Sequence, residues 1–203
     1  MSGLNAEQLD AIRELINIGV GRAAAILNQM THVHVTLHVP VVQVLNHRDL
    51  KAHLPELDDS TVAGVQIGFR GPFSGMAALI FPPVSASNLV ATLTGEEAVD
   101  EDLDALRIGT LTEVGNIVIN GVLGSISNIL RQSVKYSVPT FYEGDTDHLL
   151  VPERIMHDGT VLLAHISFDL EQLLVKGNIV FLFEVGSFEA IAQAIDAIAG
   201  EDV

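Results

Sequence analysis

The chain has no cysteine, and only ten of its 203 residues are lysine or arginine. The first absence excludes disulfides and thiolate chemistry and makes the cytoplasm the default expected location. The second, set against 26 acidic residues, leaves a formal net charge of −16. No cationic stripe forms that could neutralise phosphates, so nucleic acid is excluded as a partner, and anionic lipid surfaces with it. A field of this sign would steer in a cationic partner, although acidity is also an ordinary route to solubility. No run of eighteen or more apolar residues occurs, so no membrane span is expected. The opening MSGLNAEQLDAIRE has neither the basic region nor the apolar core of a secretory signal. G-x-S-x-G, Walker and dinucleotide glycine patterns are missing as well, and the serines fall at expected caps and turns.

What the chain does have is a repeat. Glu14, Asn17 and, after twenty-two residues, Pro40 recur as Glu113, Asn116 and Pro139, each shifted by 99. Further on, Thr61, Val62, Ile67 and Phe69 are answered 99 residues later by Thr160, Val161, Ile166 and Phe168. Beyond the next turn the offset becomes 102: Gly75, Phe81 and Ser85 are answered by Gly177, Phe183 and Ser187. Three residues gained in one turn account for the step. A single slip in register over a hundred residues indicates internal duplication. The expectation is one pseudo-two-fold domain over residues 1–203, with repeat one at about 4–98 and repeat two at about 101–203.

Each repeat reads as long helix, strand, hairpin, short helix. Asn5 is placed as an N-cap, with Gln8 at the capping-box position and Leu4 and Leu9 as a hydrophobic staple. From Leu9 to Met30 an apolar face recurs at helical spacing, opposite a stripe of Asp10, Glu14, Asn17, Gly21 and Asn28. THVHVTLHVPVVQV alternates as a strand, with Val33, Val35, Leu37 and Val39 on one face. Residues 47–60 read as a loop, 61–70 and 75–81 as a hairpin, and 85–93 as a helix capped by Ser85 or Ser87 and stopped by Gly95. The second half gives a helix over 103–130, with Leu111, Val114, Val118, Val122, Ile126 and Ile129 opposite Glu113, Asn116, Asn120 and Ser127. A strand near Val134, a loop over 144–159, a second hairpin and a last helix from Ser187 to Ala199 complete it. The hairpin strands are apolar on both faces, which predicts helices on both sides of the sheet. The expected fold is α/β, of the three-layer α+β kind, built on a six-stranded, mainly antiparallel sheet with two long and two short helices.

Two side chains three apart on a helix leave the same face, about one turn apart. Asn is a poor helix former because its amide competes for backbone hydrogen bonds, yet it stands mid-helix at the same register twice. Small residues gather beside it: Gly19, Gly21, Ala24 and Ala25 in one copy, Gly115, Gly121 and Gly124 in the other. Glycine inside a helix costs about 0.5–1 kcal/mol relative to alanine, so such clusters point to close approach by another helix or by a partner. His32, His34 and His38 share one face of the first strand. An i, i+2 pair can ligate zinc, but no further ligand stands nearby in a recognisable pattern, so this is read as a polar strand face and no metal site is expected.

LDAIRELINIGVGRAAAILNQMT, with Asp10, Glu14, Asn17 and Pro40, resembles the CheC family of chemotaxis phosphatases, whose pattern is Asp or Ser, three residues, Glu, two residues, Asn, twenty-two residues, Pro. The second copy matches at Glu113, Asn116 and Pro139 and departs at Gly109, where Asp or Ser is expected. The two-site pattern is more similar to CheC, or to the related domain of FliY, than to single-site CheX. The resemblance implies hydrolysis of the aspartyl phosphate on a CheY-like response regulator. Glu14, Asn17, Glu113 and Asn116 would be the catalytic residues, the amides positioning water and the acids docking the regulator. Asp10, Pro40 and Pro139 would support them, the prolines by shaping strands. Mg²⁺ would come with the regulator, and the protein would need no cofactor of its own. The rival readings are a non-catalytic adaptor that binds the phosphorylated regulator or the deamidase CheD, and a FliY-like flagellar-switch phosphatase domain. With sheet edges satisfied by its own repeats, the chain is expected to be a monomer.

Overall fold

The computed structural model describes residues 4–38, 40–54, 61–95, 102–145 and 160–201. The first helix, α1 (Ala6–Thr31), starts where the sequence places it. The Gln8 backbone N–H donates to Asn5 Oδ1 at 2.8 Å and the Asn5 N–H to Gln8 Oε1 at 3.1 Å, a complete capping box. Leu4 and Leu9 both pack against the core, as a staple at this end would. Ile12, Leu15, Ile16, Gly19, Val20, Ala23 and Leu27 are buried, while Asp10, Glu14, Asn17, Gly21 and Asn28 are all exposed.

After α1 come β1 (Thr36–Leu37) and β2 (Val41–Asn46), then two 3-10 turns at His47–Asp49 and Lys51–His53. The hairpin β3 (Thr61–Arg70) and β4 (Gly75–Phe81) leads into α2 (Pro83–Thr94) and α3 (Asp102–Ile129). The second half supplies β5 (Lys135–Tyr136), β6 (Thr140–Asp145), β7 (Thr160–Leu170), β8 (Val175–Glu184) and α4 (Phe188–Glu201). The sheet runs β1-β7-β8-β4-β3-β5, with β2 also on β7 and β6 also on β3, every pairing antiparallel. Among the described residues six strand positions are therefore filled, with each edge position shared by two short strands.

The edges break for a shared reason. Between the pairs Leu37↔Phe168 and Val41↔His165 the edge strand spends three residues against two on β7. The same count separates Tyr136↔Phe69 from Thr140↔Gln66. Each is a one-residue bulge, and its last residue is Pro40 or Pro139. Proline has no N–H for a ladder and is tolerated at bulges and sheet edges. The expected continuous strand over 31–44 therefore begins later and is interrupted. His32 closes α1 in the left-handed conformation (φ 57°), so neither it nor His34 lies on a strand, and His38 pairs with Asp169 at 2.6 Å. Val39, counted with Val33, Val35 and Leu37 on one strand face, lies outside the described residues.

The change of offset from 99 to 102 has a specific cause. Five residues separate the cross-strand pair Phe69↔Gly75, and eight separate its counterpart Phe168↔Gly177. The added residues extend the strands by two rungs, Asp169↔Lys176 and Leu170↔Val175, and the turn itself contracts to four residues. In both pairs the ring lies over the glycine: a Cβ on Gly75 would stand 2.8 Å from Phe69 Cζ, and one on Gly177 2.3 Å from Phe168 Cζ.

α1, α2, α3 and α4 share one apolar cluster with one face of the sheet, including Val65, Leu79, Phe168 and Phe181. The opposite face carries Val62, Ile80, Leu163 and Leu182, covered by Leu50 and Leu54 from the 3-10 segment. Among the described residues, the helices expected on both faces lie on one only; the second face is covered by irregular chain. Ser85 and Ser87 do not cap α2, which starts at Pro82–Pro83 without a side-chain cap. Ser85 Oγ accepts the Lys176 N–H instead, and its counterpart Ser187 accepts the Ser74 N–H. α2 is thereby tied to the start of β8, and the residue just before α4 to the turn between β3 and β4. α4 runs through Gly200, where the sequence suggested a stop.

Candidate functional site: two acid–amide pairs on the paired long helices

α1 and α3 pack against one another because small residues let them. A Cβ on Gly19 would stand 2.9 Å from Val122 Cγ1 and 3.0 Å from Val122 O, and one on Gly121 would stand 3.1 Å from Ile26 Cδ1. Gly115 answers a different neighbour, the Val65 side chain on β3, whose Cβ would be 2.5 Å away. A Cβ at Gly21, Gly109 or Gly124 would meet nothing within 4 Å. Internal packing therefore explains Gly19, Gly115 and Gly121, and the other three stand where the surface is open.

The first pair, Glu14 and Asn17, is exposed on α1. Asp10, one turn earlier, is engaged by Arg13 Nη1 at 2.8 Å. Ile18, 47% exposed, sits between Glu14 and Gly21 and gives this surface an apolar centre. The second pair differs. Glu113 is exposed and Asn116 is half-buried. Asn120 Nδ2 donates to Asn116 Oδ1 at 2.7 Å, and Asn120 Oδ1 is buried with no partner. Position 21, which answers Asn120, is glycine.

Glu113 also borders a groove of about 550 Å³ between the ends of α1, α2 and α3, lined by Met30, Leu93, Thr94, Leu106 and Gly109. The positions that answer Leu106, Gly109 and Thr94 hold Glu7, Asp10 and Asp196. There Gln8 Nε2 donates to Asp196 Oδ2 at 3.4 Å, joining α1 to α4. One end of the helix pair is thus acidic and tied shut, the other apolar and open. Gly109 accordingly removes the charge expected there and contributes to the groove.

Ser127, counted with the polar side of α3, is 8% exposed and its Oγ has no partner. α3 lies deeper than α1, since its far side meets Val65 of the sheet. Arg107 anchors its start, donating from Nη1 and Nη2 to the Glu143 carboxylate at 3.2 and 3.0 Å. Sequence reasoning missed both this tie and the Asn120–Asn116 bond; the i, i+4 spacing of the two asparagines was the available signal. Among the described residues no three histidine, aspartate or glutamate side chains gather as a metal site, and no helix is long and apolar enough to cross a membrane.

Residues 63–155 match the family model described as chemotaxis phosphatase CheX. The CheY-P phosphatase CheC of Bacillus subtilis is 26% identical over 97% of this chain and 97% of its own. The crystal structure of Thermotoga maritima FliY superposes with a TM-score of 0.75 at 18% identity, over 96% of this chain and 98% of that one. A chain of the CheX–CheY–BeF3–Mg complex from Borrelia burgdorferi does so at 0.57 and 18%, over 83% and 97%. In sequence the chain is similar to CheX and CheC, and in fold to FliY and CheX.

Proposed function

We propose that the chain is a phosphatase for the aspartyl phosphate of a CheY-like response regulator in chemotaxis, with Asn17 and Asn116 as water-positioning residues and Glu14 and Glu113 as docking residues. The observation that carries the reading is the recurrence of an acid–amide pair, three residues apart, on the polar side of each of two amphipathic helices, exposed in the first copy and with the amide half-buried in the second. The CheC, CheX and FliY likenesses support it.

An acyl phosphate is intrinsically labile, so a catalyst needs little beyond position and charge stabilisation. Water attacks phosphorus as the bond to the regulator's aspartyl oxygen breaks. The electron pair leaves with the carboxylate, and the products are aspartate and inorganic phosphate. The amide orients the water in line; the acid pairs with a regulator lysine and sets the register of the two proteins. Mg²⁺ belongs to the regulator's own carboxylates in this reading, and Asp10, Pro40 and Pro139 support the site from its surroundings. The groove beside Glu113 and the exposed Ile18 supply the apolar contact that a protein partner would cover.

Phosphate loss from a phosphorylated CheY-like regulator, followed with and without the protein, tests the proposal. Acceleration that grows with protein concentration is the expected result. Phosphorylation-dependent binding with no acceleration would instead indicate an adaptor.

A further inference from the structure

We propose that Asn120 is a positioning residue for Asn116, and that it makes the second site a pre-set, donor-presenting site while the first remains a free rotor. This inference rests on the phosphatase reading above. Residues four apart on a helix lie on one face, and here the Asn120 amide donates to Asn116 Oδ1 at 2.7 Å. With its carbonyl engaged, Asn116 keeps its NH2 for a visitor. That group can donate to a lone pair of the attacking water or to a phosphoryl oxygen. Asn17 has glycine at the matching position, so neither end of its amide is held in this way.

The local chemistry gives Asn120 no other evident purpose. Its Oδ1 is buried without a partner, and asparagine is among the weaker residues for a helix interior. Gly21 shows that the fold accepts the smallest side chain at the equivalent place. Ordering the amide before the regulator arrives removes an orientational cost from the chemical step rather than from docking, so the effect falls on kcat and not on KM.

The test isolates the second site by using Asn17→Ala as the background and a phosphorylated CheY-like regulator as substrate. Adding Asn120→Ala or Asn120→Asp is expected to lower kcat about fivefold or more with KM unchanged, because neither side chain can donate to Asn116. The thermal midpoint of the alanine variant should change little, since the lost hydrogen bond to Asn116 is offset by alanine's better helix propensity. Unchanged kcat in either variant, or a loss confined to KM, overturns the inference. Asn116→Ala in the same background separates this from the parent reading. If that change leaves turnover intact, the phosphatase assignment of the second site fails whatever Asn120 does.

Discussion

Gly19 and Gly21 stand two residues apart on α1, and replacing each with alanine should move stability in opposite directions. At Gly21 the new methyl meets open space. The only consequence is the loss of glycine's excess chain freedom, a gain of about 0.5–1 kcal/mol. At Gly19 the methyl would lie 2.9 Å from Val122 Cγ1, 3.0 Å from Val122 O and 3.2 Å from Val122 Cα. The side-chain atom can rotate away, but the two backbone atoms cannot move without shifting α3. Overpacking of this kind costs about 1–3 kcal/mol, which cancels or exceeds the propensity gain and leaves a net loss of up to roughly 2.5 kcal/mol. For a chain of this size each kcal/mol is worth about 2–4 °C. Urea unfolding of the two variants beside the parent protein measures the difference, with equal m-values confirming that the same transition is compared. Gly115→Ala, pressed against Val65 on the sheet, belongs with Gly19→Ala. If Gly19→Ala proves as stable as Gly21→Ala, α1 and α3 do not approach as closely as described, and the account of the helix pair is wrong.

Asn5→Ala removes the acceptor of the capping box and should cost about 1 kcal/mol in the same unfolding assay, with Gln8→Ala costing less. Glu143→Ala leaves the Arg107 guanidinium partly buried without its bidentate partner; a loss of about 1–2 kcal/mol is expected, against almost none for a solvent-exposed acid such as Glu184. Asn120→Ala should depart from both, reducing second-site kcat while the thermal midpoint holds.

The parts of the fold that were legible in the chain are those governed by local chemistry. Asn5 and Gln8 signal a helix start by themselves, and two short apolar runs, 61–70 and 75–81, on either side of Gly71–Pro72 are sufficient for a hairpin. The helix ends are a different case. His32 and its counterpart Arg131 both adopt left-handed conformations without being glycine, so nothing local announces them. Ser85 and Ser187 look like caps because serine is a good cap, yet each is taken by a backbone N–H from the other half. That choice is tertiary and cannot be read from neighbours in sequence. Periodicity likewise places Ser127 on the polar side of α3 but does not report how deeply that helix is packed. For the site, the spacing of Glu14, Asn17, Glu113 and Asn116 was readable from the repeat, and so was the missing acid at Gly109. The groove beside Glu113 was not, because Met30 and Leu93 reach it from far along the chain.

The claim on which the functional account stands is that two outward amides, one on each long helix, carry the chemistry. Release of phosphate from a phosphorylated CheY-like regulator, measured for the parent protein, Asn17→Ala, Asn116→Ala and the double variant, tests it most directly. Each single change should silence one site, and the double variant should lose roughly 10²-fold or more while still binding the regulator. A double variant that releases phosphate at the parent rate would contradict the account.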